Sequence, residues 1–217
     1  MFKETILSGL DCGVLLTRKE YDEIISSFEK WRDERRISIS SQTKTYVGNI
    51  LEEITEYERA KNELEKIDAL CDMAVFHINS STNLRYENYC ESAYTHEDEV
   101  PESKTSELLN AISIIIANKD IENNQFYKDN DFLYILFSVM FNMGYNPYKC
   151  MIETFKEISS RKQDPVQAEE WKTKVSGKWM KDKNQDPATI YKADYESCKI
   201  GNKDEFIKNF YKVQLGY

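Results

Sequence analysis

Apolar side chains recur at helical spacing through most of the chain. Tyr21, Ile24, Ile25, Phe28 and Trp31 fall three or four residues apart, and Thr17 with Glu20 has the form of a capping box. A helix is therefore predicted from Thr17 to about Arg36. Val47, Ile50, Leu51, Ile54 and Tyr57 predict a second from about Ser41 to Ala60. Leu64, Ile67, Leu70, Cys71, Ala74, Val75 and Ile78 predict a third from Asn62 to Asn79. Residues 80–104 are polar and without period, and they read as a loop or lid. Ser103/Ser106–Asn118 and Asp129–Asn142 read as two more core helices. The turn Gly144-Tyr-Asn-Pro147 separates the latter from a helix over 148–162. The remainder, 163–217, is basic and aromatic in texture, with Trp171, Lys172, Lys174, Lys178, Trp179, Lys181, Lys183, Tyr191, Lys192 and Tyr195. It is expected to wrap the bundle rather than extend it. No linker or repeat divides the chain, so residues 1–217 read as one all-α domain.

Composition narrows the function. Seven Gly and four Pro in 217 residues argue against a turn-rich all-β fold. Thirty-eight acidic against 29 basic side chains give a net charge of −9, which speaks against a nucleic-acid polymer as partner. Nucleotides are not excluded, because a divalent cation supplies positive charge. The longest apolar runs, Ala111–Ala117 and Phe132–Phe141, fall short of the ~20 residues of a membrane span. No membrane partner is expected. The opening MFKETILSGLDCG lacks a sustained apolar core, so no secretory signal is expected. Cys12, Cys71, Cys90, Cys150 and Cys198 are odd in number, widely spaced and without a CxxC pair. They fit reduced cytoplasmic thiols better than a disulfide framework or a zinc site. His77 and His96 supply a His-based metal site or a Ser-His-Asp triad poorly. His77 lies roughly opposite Asp68 and reads as a packed or surface histidine.

The informative stretch is Glu52-Glu-Ile-Thr-Glu56 followed by Glu65-Lys-Ile-Asp-Ala-Leu-Cys-Asp72. Residues three and four apart share a helix face, so Glu53 and Glu56 point one way from the second helix. Glu65, Asp68 and Asp72 do so from the third. If the two helices pair antiparallel through a short turn near Lys61–Asn62, two acidic faces confront each other. Such charges are tolerated only in water or around a cation. Converging carboxylate oxygens suit a hard ion, Mg²⁺ or Mn²⁺, with open positions for phosphate oxygens and a water. A solvated acidic stripe is the alternative. Against it, the face bearing Glu65, Asp68 and Asp72 also carries Val75 and Asn79.

Glu52-Glu53-x-x-Glu56 with Glu65-x-x-Asp68 resembles the metal-binding signature of the MazG-like all-α nucleoside triphosphate pyrophosphohydrolases. That superfamily includes dimeric dUTPases and phosphoribosyl-ATP pyrophosphohydrolases. The segment EYERAKNELEKIDALCDMAVFHIN is most similar to its bacteriophage branch. The resemblance extends to MGYNPYKCMIETFKEISSRK at 143–162 and to GKWMKDKNQDPATIYKADYESCK at 177–199, about half the chain. The connection between Glu56 and Glu65 is shorter than is usual there. The resemblance implies a MazG-like helical bundle that hydrolyses a ribo- or deoxyribonucleoside triphosphate to the monophosphate and pyrophosphate. It implies a Mg²⁺ cofactor, with Mn²⁺ as alternative, held by Glu53, Glu56, Glu65, Asp68 and Asp72. Glu52 or Asp72 would orient or deprotonate the attacking water. Asn79 reads equally as a base or sugar contact and as a helix terminator. Lys178, Lys181, Tyr191 and Lys192 match a basic tail motif for phosphate, with a solvated lysine surface as the alternative. Glu157 and Arg161 read as a helix ion pair or as substrate-gripping groups. Trp31, Trp171 and Trp179 read as core or interface aromatics rather than stacking platforms. A homo-oligomer, dimer or tetramer, is implied, acting in nucleotide-pool control in the cytoplasm (the host's, if the chain is phage-encoded). A dUTPase or modified-nucleotide hydrolase, and a non-catalytic nucleotide-sensing or partner-binding protein, are the rival readings.

Overall fold

A computed structural model of the chain describes residues 15–95, 108–110, 113, 128–173 and 179–215. Among the described residues, eight α-helices with full bounds follow in order: α1 Arg18–Glu34, α2 Ile39–Arg59, α3 Glu63–Ser80, α4 Tyr86–Thr95, α5 Lys128–Asn142, α6 Pro147–Ser160, α7 Pro165–Glu170 and α8 Lys203–Leu215. Two 3₁₀ turns, Pro187–Thr189 and Tyr195–Cys198, lie between α7 and α8. The architecture is all-α, and none of these helices is long and apolar enough to cross a membrane.

Local chemistry sets most boundaries. Thr17 caps α1 through the reciprocal box with Glu20. Ser38 caps α2, Asn62 caps α3 and Asn146 caps α6, where Pro147 takes the first turn. α1 ends in a Schellman motif, with Ile37 N–H on the Arg32 carbonyl and Arg36 N–H on that of Asp33. Arg36 takes a left-handed φ of 52° there, and its guanidinium Nη1 donates to the Trp171 and Lys172 carbonyls. Gly144 closes α5 in the same way at φ 91°, where any side chain would be strained.

α3 is the central helix. Ile67, Leu70, Cys71, Met73, Ala74, Val75 and Ile78 are all buried, and it packs against α1, α2, α5, α6 and the second 3₁₀ turn. α2 and α3 form an antiparallel hairpin across residues 60–62. Thr43 Oγ1 donates to the Ser80 carbonyl at 3.3 Å, and Tyr46 Oη meets His77 Nδ1 at 2.7 Å, joining the start of one helix to the end of the other. His77 is thus a core residue, edge-on to Phe132.

The expected loop over 80–104 is in part a helix. Tyr86, Tyr89 and Ala93 form a short stripe on α4, and Tyr89 packs among Tyr21, Tyr134 and Phe137. The exposed Glu87 and Glu91 and the polar but buried Ser92 hid that period. Of the helix expected over 103–118, only 108–110 and 113 are described, and they are helical.

The tail runs back along α6 and is fastened at both ends. Near the start of α6, Asn146 N–H donates to the Cys198 carbonyl and Ile200 N–H to that of Gly144. Past its end, Asp164 N–H donates to the Met180 carbonyl and Asp182 N–H to that of Lys162. Between these pairings two glutamates of α6 hold the strap. Glu153 accepts from Tyr191 Oη and Asp194 N–H, and Glu157 accepts from Ala193 N–H at 2.9 Å.

Candidate functional site

One cavity of about 680 Å³ opens between α1, the α2–α3 hairpin, the end of α6 and the strap. That is the size of a small-molecule site. Its walls differ in chemistry. α2 contributes Gln42, Thr45, Asn49 and Glu52, and α3 contributes Asp72, Val75, Phe76 and Asn79. Arg161 caps α6, while Trp179, Met180, Lys181 and Lys183 come from the strap and Trp31 from α1. Because the hairpin is antiparallel, its acids lie toward one end and its uncharged amides and hydroxyls toward the other.

Five residues singled out from the sequence line this cavity: Glu52, Asp72, Asn79, Arg161 and Lys181. Glu53, Glu56 and Asp68 stand beside it, close enough to act on one another. Glu53 sits in the apolar stripe of Ile50, Ile54 and Tyr57. Burial, then the charges of Asp72, Glu56, Asp68 and Glu52, push its carboxyl up to about 8. Burial and Asp68 push Asp72 up to about 7 against the pull of Arg161. Burial also raises Asp68, opposed by the Tyr195 hydroxyl that donates to its Oδ1 at 3.0 Å. Asp68 is exposed and Asp72 is half-buried at the cavity, yet protein packed around both makes their charge costly.

Glu65 stands apart. Its oxygens accept Lys61 N–H at 2.7 Å and Asn62 Nδ2 at 3.0 Å while its own N–H donates to Asn62 Oδ1. Asn62-x-x-Glu65 is the N-terminal cap of α3, and that use of Glu65 competes with its reading as a metal ligand. Glu157 and Arg161 form the expected one-turn ion pair at 2.6 Å. Burial alone would raise Glu157, but Ala193 N–H and Arg161 hold it below the usual carboxylate range. Lys192 is exposed and acts electrostatically on Asp68 and Glu157. Tyr191 is turned to Glu153 and serves to anchor the strap. Lys178 lies outside the described residues.

Trp31 and Trp179 are core aromatics, as read from the sequence: Trp31 is buried and Trp179 packs against the core. Trp31 and Trp179 meet with centroids 5.8 Å apart, and both line the cavity. The sequence reading did not single out Lys183 as a site residue, although it stands two positions after Lys181 in the same basic tail. Asn79 is 3% exposed, and its Oδ1 has no hydrogen-bond partner. A buried amide oxygen left this way is costly in a native fold unless a ligand or water meets it.

Among the described residues, no three His, Cys, Asp or Glu side chains already enclose a point that could hold a metal ion. The donor set nonetheless fits a hard divalent cation in kind. Every donor is a carboxylate oxygen, and the strongest charges acting on Glu53 are all acidic. Comparison of the chain with protein-family models, with curated proteins and with solved structures returns no match.

Proposed function

We propose that this chain is a divalent-cation-dependent nucleoside triphosphate pyrophosphohydrolase of the MazG-like kind, releasing a monophosphate and pyrophosphate. The observation that carries the reading is the crowding of the buried Glu53 by the charges of Asp72, Glu56, Asp68 and Glu52, of which Asp72 and Glu52 line a cavity that also holds cations and an indole pair. Glu53, Glu56, Asp68 and Asp72 would hold Mg²⁺, or Mn²⁺ in its place. When bound, the cation supplies charge neutralisation for the polyphosphate and a water of lowered pKa.

The chain's own residues do the rest. Arg161, Lys181 and Lys183 attract the phosphate oxygens and stabilise charge that moves onto the leaving pyrophosphate. Asp72 or Glu52 takes the proton of the attacking water on a carboxylate oxygen, since both reach the cavity. Trp31 and Trp179 already touch, so a heterocycle lies against the pair and not between them. Asn79 Oδ1 accepts an N–H of the base. Seven residues of helix separate Asp72 from Asn79, a rise of about 10 Å. That is comparable to the reach of a nucleotide from its first phosphate to the far edge of its base. A homo-oligomer belongs to the same proposal.

The test is incubation of the full chain with Mg²⁺ and each common ribo- and deoxyribonucleoside triphosphate, with pyrophosphate and monophosphate measured. Stoichiometric release of both from at least one substrate, abolished by chelator, is expected. Nucleotide binding without release under Mg²⁺ and Mn²⁺ would overturn the hydrolase and leave a sensor.

A further inference from the structure

We infer that Tyr195 is a positioning residue for Asp68, and that through it the docking of the tail governs the acid cluster. This rests on the reading of Asp68 as a cation ligand. Tyr195 is 6% exposed and lies in the 3₁₀ turn that packs against α3 and α6. Its hydroxyl donates to Asp68 Oδ1 at 3.0 Å and lies 2.9 Å from Thr154 Oγ1. Thr154 Oγ1 is in turn 2.9 Å from the Cys150 carbonyl.

Each hydroxyl carries one proton, so the chain of contacts has a direction. An ionised Asp68 only accepts. Tyr195 therefore donates to it, and the one Thr154 proton is shared between the Cys150 carbonyl and the Tyr195 oxygen. One carboxylate oxygen of Asp68 is thereby engaged, and Oδ2 is left to face a cation. The hydroxyl is itself held by the strap. The residues just before it, Ala193 and Asp194, give their backbone N–H groups to Glu157 and Glu153. The same strap carries Trp179, Lys181 and Lys183 to the cavity. One docking event thus assembles a cavity wall and orients an acid on the opposite helix.

Loss of the hydroxyl separates positioning from packing. In Tyr195→Phe the ring stays, and Thr154 turns its proton to the Cys150 carbonyl, so no buried donor is orphaned. Asp68 alone loses a partner. The experiment titrates Mn²⁺ into the full chain, reading free Mn²⁺ by electron paramagnetic resonance, with thermal melting alongside. Tyr195→Phe is expected to weaken Mn²⁺ binding about tenfold to a hundredfold, as removal of outer-shell partners does, with little change in melting. Wild-type affinity in Tyr195→Phe beside an impaired Asp68→Asn overturns the inference alone. A wild-type chain that takes up no Mn²⁺, or an Asp68→Asn chain that binds as well as wild type, overturns the reading of Asp68 too. If Tyr195→Phe loosens the fold, Thr154→Val is read instead. It removes the brace while keeping Tyr195, a smaller loss of the same sign is expected, and unchanged affinity overturns the inference.

Discussion

Glu53 and Glu153 are equally buried, each 8% exposed, yet their surroundings are opposite. Glu153, on α6, receives Lys156, the Tyr191 hydroxyl and the Asp194 N–H. Burial alone would raise its carboxyl, but these donors outweigh it and hold the group below the usual range. Glu53, on α2, faces other acids and is pushed up to about 8. The α6–strap region is a buried charge with its partners supplied. In the α2–α3 region, among the described residues, a buried carboxyl is surrounded mainly by other acids. Depth therefore does not separate a structural acid from a candidate functional one. The source of the compensating positive charge does.

That contrast is broken most severely at Asp72. Asp72→Asn keeps the shape and removes a charge that its neighbours oppose. Pyrophosphate release under Mg²⁺ is expected to fall about a hundredfold or more, while the melting temperature holds or rises. A fall in both would place Asp72 with Glu153 as a structural acid.

Glu153→Ala should show the reverse. It leaves the Asp194 N–H without its acceptor and frees the strap. Melting is expected to drop by roughly 5–10 °C at this chain length, with faster proteolysis within 179–200. An unchanged melt would mean that the two pairings at the ends of α6 hold the strap alone.

The mildest effect concerns pH. The Glu53 carboxyl has an ordinary value of 4.5 and stands at about 8 in the fold, so the folded chain keeps a proton that the unfolded chain releases. Its contribution to stability is full below about 4.5 and is lost as pH rises through about 8. Asp72, rising from 3.8 to about 7, acts in the same sense over a lower window. Metal-free protein should therefore melt progressively lower between pH 5 and pH 8. Glu53→Gln should flatten that slope and stabilise the chain at pH 8 by about 1–2 kcal/mol, or roughly 2–8 °C. An unaltered slope in Glu53→Gln would show that the acids are not crowded as described.

Much of the bundle was legible because helices advertise themselves locally. Thr17/Glu20, Asn146-Pro147 and Gly144 mark ends by capping chemistry that needs no tertiary partner. α4 was not legible, since its three-residue stripe means little until Tyr21, Tyr134 and Phe137 supply a surface. Within the site, spacing placed Glu53 with Glu56 and Asp68 with Asp72. It also drew in Glu65 by the same rule, although that carboxylate caps its own helix. A period of 3.6 tells which residues share a face and not which way each side chain turns.

Taken alone, the order of residues decided that the chain would be helical, where most helices begin and end, and that two acidic faces lie on consecutive helices. These follow from backbone hydrogen bonding and side-chain period, whose range is a few residues. Only the folded tertiary arrangement decided that Trp31 meets Trp179, that Tyr195 reaches Asp68 and that Glu53 lacks the partners Glu153 enjoys. Those pairings span more than a hundred positions or turn on the path of the tail. They exist because the strap is fastened along α6, a contact that no local pattern encodes.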